Sequence, residues 1–144
     1  MKTLLTAIAC FLTLTLPMSA QTPNVTYLDH EKVAAALAKG SSLMTAPNVT
    51  VSGAHRTGPG EVEVHESETD VLYIIEGEAT FVSGGTMVGG KLSGPGQHRG
   101  KDIQGGTTQH LTKGDVIVVQ AGTPHWFKEV PKSVNYFVVK VLKN

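Results

Sequence analysis

The chain has 144 residues, with 12 Lys and Arg against 12 Asp and Glu, so its formal net charge is zero. That length holds one domain, and without a basic cluster neither nucleic acid nor an anionic membrane surface is the expected partner. A single Cys excludes a disulfide framework, and a 40% hydrophobic content at zero net charge excludes a disordered chain.

The first segment reads as an export signal. Met1-Lys2 gives a positive start, Thr3 to Leu16 is apolar and uncharged, and Pro17-Met18-Ser19-Ala20 supplies a bend and small residues. Residues 1–20 have the layout of a secretory signal peptide, with cleavage expected after Ala20 to within about two residues. The apolar run falls short of the roughly 20 residues of a membrane span. It also continues past Cys10, where a lipoprotein signal would have stopped. Residues 21–144 then form the working domain, secreted to the periplasm or beyond, with no Cys and all six His.

Asp29 is expected to cap a short N-terminal helix, DHEKVAAALAKG, with Val33, Ala36 and Leu37 on one face and Gly40 as a left-handed C-terminal cap. Beyond it the period changes to two. NVTVSGA, VEVH, VLYII, EATFV, TTQHLT, DVIVV, HWFKEV and VNYFVVKVL read as strands separated by Gly, Pro, Asn and Asp, which makes the domain all-β, a sandwich or barrel. Glu76-Gly77 and Gly114-Asp115 are expected at sharp turns. From Gly84 to Gly106, nine of 23 residues are Gly. This stretch is either an exposed hairpin insertion or a rim over a pocket.

Two segments carry chemistry. In Gly60-EVEVHESETDVLYIIE-Gly77, strand alternation puts Glu63 and His65 on one face. Seven of the twelve acids fall between Glu61 and Glu78 with no Lys or Arg among them. A carboxyl in such a run is expected to have a raised pKa. In Gly114-DVIVVQAGTPHWF, His125 opens a strand after a tight turn. In TTQHLTKGD, Leu111 is the natural core residue, so Gln109 shares its inward face and His110 points out.

These segments resemble the two motifs of the cupin superfamily of small jelly-roll barrels. The second motif matches Gly114, Gln120 in the proline slot, Gly122, Pro124 and His125, with Glu129 in place of Asn. In the first motif Gly77 counts back to Asp70 in the glutamate slot, then to His65 as the second histidine, with Glu63 in the first histidine's slot. The resemblance implies a jelly-roll barrel with one transition metal. The motif slots supply Glu63, His65, Asp70 and His125, while the preferred ligand set is His65, Gln109 and His125, an inward amide being costly unless something binds it. In that set Glu63 is the catalytic proton donor or acceptor and Asp70 orients His65 from behind. The rival set binds Glu63 directly, and a strand register shifted by one would put His110 in Gln109's place. Two imidazoles with oxygen donors suit copper, the preferred metal, and also iron, manganese, zinc or nickel. The chain is similar in size and export signal to secreted copper-dependent monocupins that cleave cellulose oxidatively. That likeness implies an oxidoreductase using oxygen or peroxide on cellulose or a related polysaccharide. The alternatives are a dioxygenase or isomerase acting on a small molecule, and a non-catalytic sugar- or metal-binding cupin. Trp126 either stacks on a sugar ring or packs between sheets or at the contact of a homodimer, the assembly that the resemblance implies.

Overall fold

The computed structural model describes residues 25–143, and the expected signal peptide lies outside them. In chain order the elements are α1 (His30–Lys39), β1 (Ser41–Ala46), β2 (Val49–Arg56), β3 (Val62–His65), β4 (Glu68–Ser83), β5 (Thr86–Val88), β6 (Lys91–Gly94), β7 (Gln97–Gly100), β8 (Asp102–Gln104), β9 (Thr107–Thr112), β10 (Val116–Val119), β11 (His125–Glu129) and β12 (Val134–Leu142).

The helix ends as the sequence dictates. Asp29 accepts from the Lys32 N–H at 2.9 Å, and Gly40, at φ 67°, donates its N–H to the Ala36 carbonyl. Ala36 is the buried residue of α1, and it rests on Gly53 of β2. A Cβ at Gly53 would come within 2.8 Å of the Ala36 backbone, so glycine there lets the helix lie flat on the sheet.

All strand pairs are antiparallel, and β4 is the spine of the jelly roll. A turn was expected at Glu76-Gly77, but a single 16-residue strand runs through it. Gly77 has φ 82°, and a side chain there would collide with the Ser133 carbonyl. The register against β12 slips at this point, from Asn135 opposite Glu76 to Tyr136 opposite Ile74. Ile75 is the extra residue of this bulge, and the left-handed Gly77 beyond it stays paired with Val134, so the strand runs on through the doublet. Residues of β4 before Gly77 pair with β10 and β12, and those after it pair with β9 and β11. One strand therefore belongs to both sheets and brings Leu72, Ile74, Ala79 and Phe81 into a common core with Leu111, Phe127, Val134 and Tyr136. Gly114-Asp115 does turn: Gly114 has φ 95° and the Asp115 carboxylate accepts from the Thr112 N–H at 2.7 Å.

The glycine-rich stretch is built of strands. β5 pairs with β8 as a separate ribbon, β6 with β7, and β7 lies along β3, with Arg99 opposite Glu63 and Gln97 opposite His65. The insertion therefore forms part of the wall that holds the motif residues.

Candidate metal centre

Three strands bring the motif side chains together. His65 and Glu63 project from the same face of β3, Asp70 comes from β4, and His125 opens β11 opposite Glu63. The turn before His125 is tied to β3 directly, since the Gly122 N–H donates to the His65 carbonyl at 2.7 Å. Gly122 has φ 81°, a conformation that a side chain would strain.

Each imidazole is fixed by its Nδ1. That of His65 is hydrogen-bonded to Gln97 Oε1, and that of His125 donates to the Thr123 carbonyl at 3.0 Å. Both Nε2 atoms consequently face the same carboxylates. His65 Nε2 lies 3.3 Å from Glu63 Oε2 and 3.4 Å from Asp70 Oδ2, and His125 Nε2 lies 4.0 and 3.8 Å from the same two atoms. His65 Nε2 is buried yet makes no aligned hydrogen bond. A buried nitrogen without a partner is costly, and an ion among these donors would satisfy it. The ligand atoms of Glu63, His65 and His125 lie within 4.8 Å of one another. The donor set therefore fits a metal ion.

Lysine holds the fourth motif residue. Lys140 of β12, in register with Asp70, donates to both its oxygens at 2.9 and 3.0 Å and sits 3.2 Å from Glu68 Oε2. Arg56 and Arg99 lie 3.7 and 3.8 Å from the two oxygens of Glu63. The surroundings of Glu63 overturn the expectation of a raised pKa. Burial pushes that carboxyl up, but the neighbouring His65, Arg99 and His125 outweigh it and hold it at about 2. At neutral pH such a group is a ready ligand and a poor proton donor.

The imidazoles divide in the opposite sense. Burial lowers His65, but Asp70 and Glu63 beside it prevail and raise it to about 9, whereas burial keeps His125 below its ordinary value. In the metal-free protein a protonated His65 thus occupies the place of the cation. Glu63 stabilises the fold above its ordinary 4.5 and loses that contribution as pH falls toward 2. His65 contributes fully below 6.5 and loses its share as pH rises through 9. The metal-free domain is expected to be most stable between 4.5 and 6.5. Metal must displace the His65 proton, so affinity should climb about tenfold per pH unit toward pH 9. Zinc titrations of the metal-free protein across this range check it, and a flat profile would rule out a protonated His65.

Gln109 is not brought to this cluster. It lies on β9, with β4 between it and β11. In the orientation that pairs its amide nitrogen, that group donates to the carbonyls of Thr107 and Phe81 at 3.1 and 3.3 Å. The inward amide on which the preferred ligand set rested is thus satisfied by backbone, and the convergent donors are Glu63, His65, Asp70 and His125. His110 is exposed, with Nε2 3.5 Å from Glu78. Trp126 is half-buried and donates its indole N–H to the Gly60 carbonyl at 2.7 Å. The sequence reading missed Gln97, Arg56, Arg99 and Lys140. For Lys140 a signal existed, because alternation along VNYFVVKVL puts it on the face of Val134, Tyr136 and Val138.

A cavity of about 170 Å³ opens beside the cluster, lined among others by Arg56, Glu63, Asp70, His125, Tyr136 and Lys140. The family model described as Cupin matches residues 24–144. The chain belongs to the cupin family. Solved structures resemble this cupin at low identity. An uncharacterised Klebsiella pneumoniae protein with a double-stranded β-helix domain is 19% identical over 72% of this chain and 76% of its own, with a TM-score of 0.51. A Bacillus halodurans protein is 14% identical over 72% and 69%, with a TM-score of 0.53. A Neisseria meningitidis protein is 13% identical over 84% and 99%, with a TM-score of 0.51. At these identities the likeness is of fold. No curated protein matches the chain. Cupins bind a metal, and in this cupin the His, Glu and Asp cluster is where one fits.

Proposed function

We propose that this cupin is a metal-dependent oxidoreductase that uses dioxygen or peroxide on a small organic molecule. The observation that carries the reading is the convergence of two imidazole nitrogens and two carboxylates beside an accessible cavity, with the buried His65 Nε2 aimed at both carboxylates without an aligned hydrogen bond. A purely structural metal site is closed by protein ligands, whereas this cluster borders a space that substrate can enter. A bound copper or iron ion would supply Lewis acidity and single-electron exchange with the oxidant. His65 and His125 would hold it through Nε2 and Glu63 through its carboxylate, with the Gln97 and Thr123 oxygens fixing both rings.

Copper is the metal we propose, supported by nitrogen and oxygen donors, the lack of a thiolate in residues 21–144, and the expected export of the chain. The cavity volume supports a small molecule over a polymer, since about 170 Å³ is below the roughly 300–1,000 Å³ of drug-sized pockets. Cellulose or a related polysaccharide would have to present a chain end. A homodimer is proposed because Tyr73, Val116, Val118 and Val141 expose an apolar strip on the outer sheet face, with Val116 opposite Tyr73.

Metal analysis of residues 21–144, followed by oxygen and peroxide uptake with small organic molecules and with cellulose, tests the reading. Bound copper near one ion per chain and uptake that depends on a small molecule are expected. Release of oxidised sugar would restore the polysaccharide, and full metal without turnover would make the protein a binding cupin.

A further inference from the structure

The cavity beside the metal cluster holds a guanidinium that nothing in the proposed chemistry uses. Arg56 ends β2 on its inward face, opposite Val134 of β12. Its Nε donates to the Tyr136 hydroxyl at 2.9 Å, and its plane sits over the Phe127 ring with Cζ 5.0 Å from the centroid. Gly60 completes the seat, since a Cβ there would come within 2.8 Å of an Arg56 terminal nitrogen. The group is therefore held at its base and its face, with room for one terminal nitrogen over Gly60. Among the described residues neither terminal nitrogen makes a hydrogen bond, and the nearest carboxylate oxygen, on Glu63, is 3.7 Å away. Arginine presents its donors as a rigid fork, and a fork fixed at Nε whose two ends make no hydrogen bond matches a planar anion.

We infer that Arg56 is the anchor for a substrate carboxylate, so that this cavity takes a small organic acid and places the remainder of the molecule against His125 and Glu63. The inference rests on the metal-dependent reading above and names its substrate class. The lining charges agree with it. Arg56 and Lys140 face Glu63 and Asp70, with Glu61 at the exposed rim, and Lys140 is already engaged with Asp70. With Arg99 also 3.8 Å from Glu63, three cations balance the three carboxylates, and a divalent ion would make the surroundings net positive. Carboxylate binding should accordingly be strengthened by the metal.

The test uses protein of known metal content and four probes: malonate, benzoate, malonamide and inorganic phosphate. Binding is read by calorimetry and by the fluorescence of Trp126, the single tryptophan, which borders the cavity. Malonate or benzoate should bind the copper-loaded protein, with malonamide and phosphate at least about tenfold weaker. Arg56→Gln and Arg56→Lys should keep the metal and each weaken the carboxylate by about tenfold or more, the lysine because it lacks the fork. Unchanged carboxylate affinity in both variants would overturn the inference, because the acid would then be held by the metal alone. Phosphate bound in preference to malonate would overturn it as well. Should either variant fail to fold, the wild type decides: malonate must protect Arg56 from phenylglyoxal, as read by peptide mass spectrometry. Loss of the parent reading looks different, since the protein would then take up no metal and turn over no substrate.

Discussion

His65→Ala and His125→Ala are each expected to abolish stoichiometric metal binding, lowering affinity by more than the roughly 10–100-fold that follows loss of a mere supporting hydrogen bond. The two variants should then part company in the metal-free state. His65 is protonated there and lies between Glu63 and Asp70, so its removal leaves two carboxylates without their shared cation. Breaking a buried pair in this way costs about 3–5 kcal/mol. His125 is kept neutral by burial, and its loss removes a ring packed on Phe81, with centroids 6.2 Å apart. That change should cost about 1–3 kcal/mol. Denaturant titrations of the metal-free variants at neutral pH measure the difference. Equal losses, or a larger loss for His125→Ala, would show that His65 carries no charge in the empty site.

Which parts of this arrangement could be read from the chain depends on how local the governing physics is. The helix was legible because its caps are local: Asp29 and Gly40 act within one turn. The inward faces of β3 and β9 were legible because alternation is a property of the strand itself. What alternation cannot supply is pairing. Gly77 illustrates this, since the same residue suits a hairpin or a strand that runs on, and the collision a side chain would make is with Ser133, distant in sequence. The strand structure of Gly84–Gly106 was hidden for a related reason. Its segments β5 to β8 are three or four residues long, too short for a period to show, and they persist by pairing with each other and with β3.

The site divides along the same line. His65, Asp70 and His125 sit at motif spacings and were readable, and the structure brings Glu63 to them. The pKa of Glu63 was misread because the acidic run contains no Lys or Arg, while the groups that lower it are His65 beside it on β3, with Arg99 and His125 arriving from β7 and β11. Gln109 was placed on the correct face of its strand. That face, however, also offers the backbone oxygens of Phe81 and Thr107, and these satisfy its amide without a metal.

Lys140→Met is expected to move metal binding in the opposite direction to the histidine variants. Lys140 occupies both oxygens of Asp70 and so detains the fourth motif residue from an ion beside His65 and His125. Methionine keeps most of the aliphatic stem but frees the carboxylate. In the metal-free protein Asp70, 4% exposed, would retain only the His65 side of its pairing. Because the Lys140 side chain is 29% exposed, the loss should be about 2–3 kcal/mol, less than the ~3–5 of a fully buried pair. With metal present, the released carboxylate adds an anionic oxygen facing a divalent ion, so affinity should rise while the metal-free form weakens. The gap between the melting temperatures of metal-loaded and metal-free protein should therefore widen. Asp70→Asn in the Lys140→Met background removes the charge that became unpaired. It should restore much of the metal-free stability and cancel the gain in affinity. A double-mutant cycle over these two residues separates that coupling from packing. If Lys140→Met weakened metal binding instead, Lys140 would be supporting the site through Asp70, and Asp70 would act by orienting His65 rather than as a ligand held in reserve.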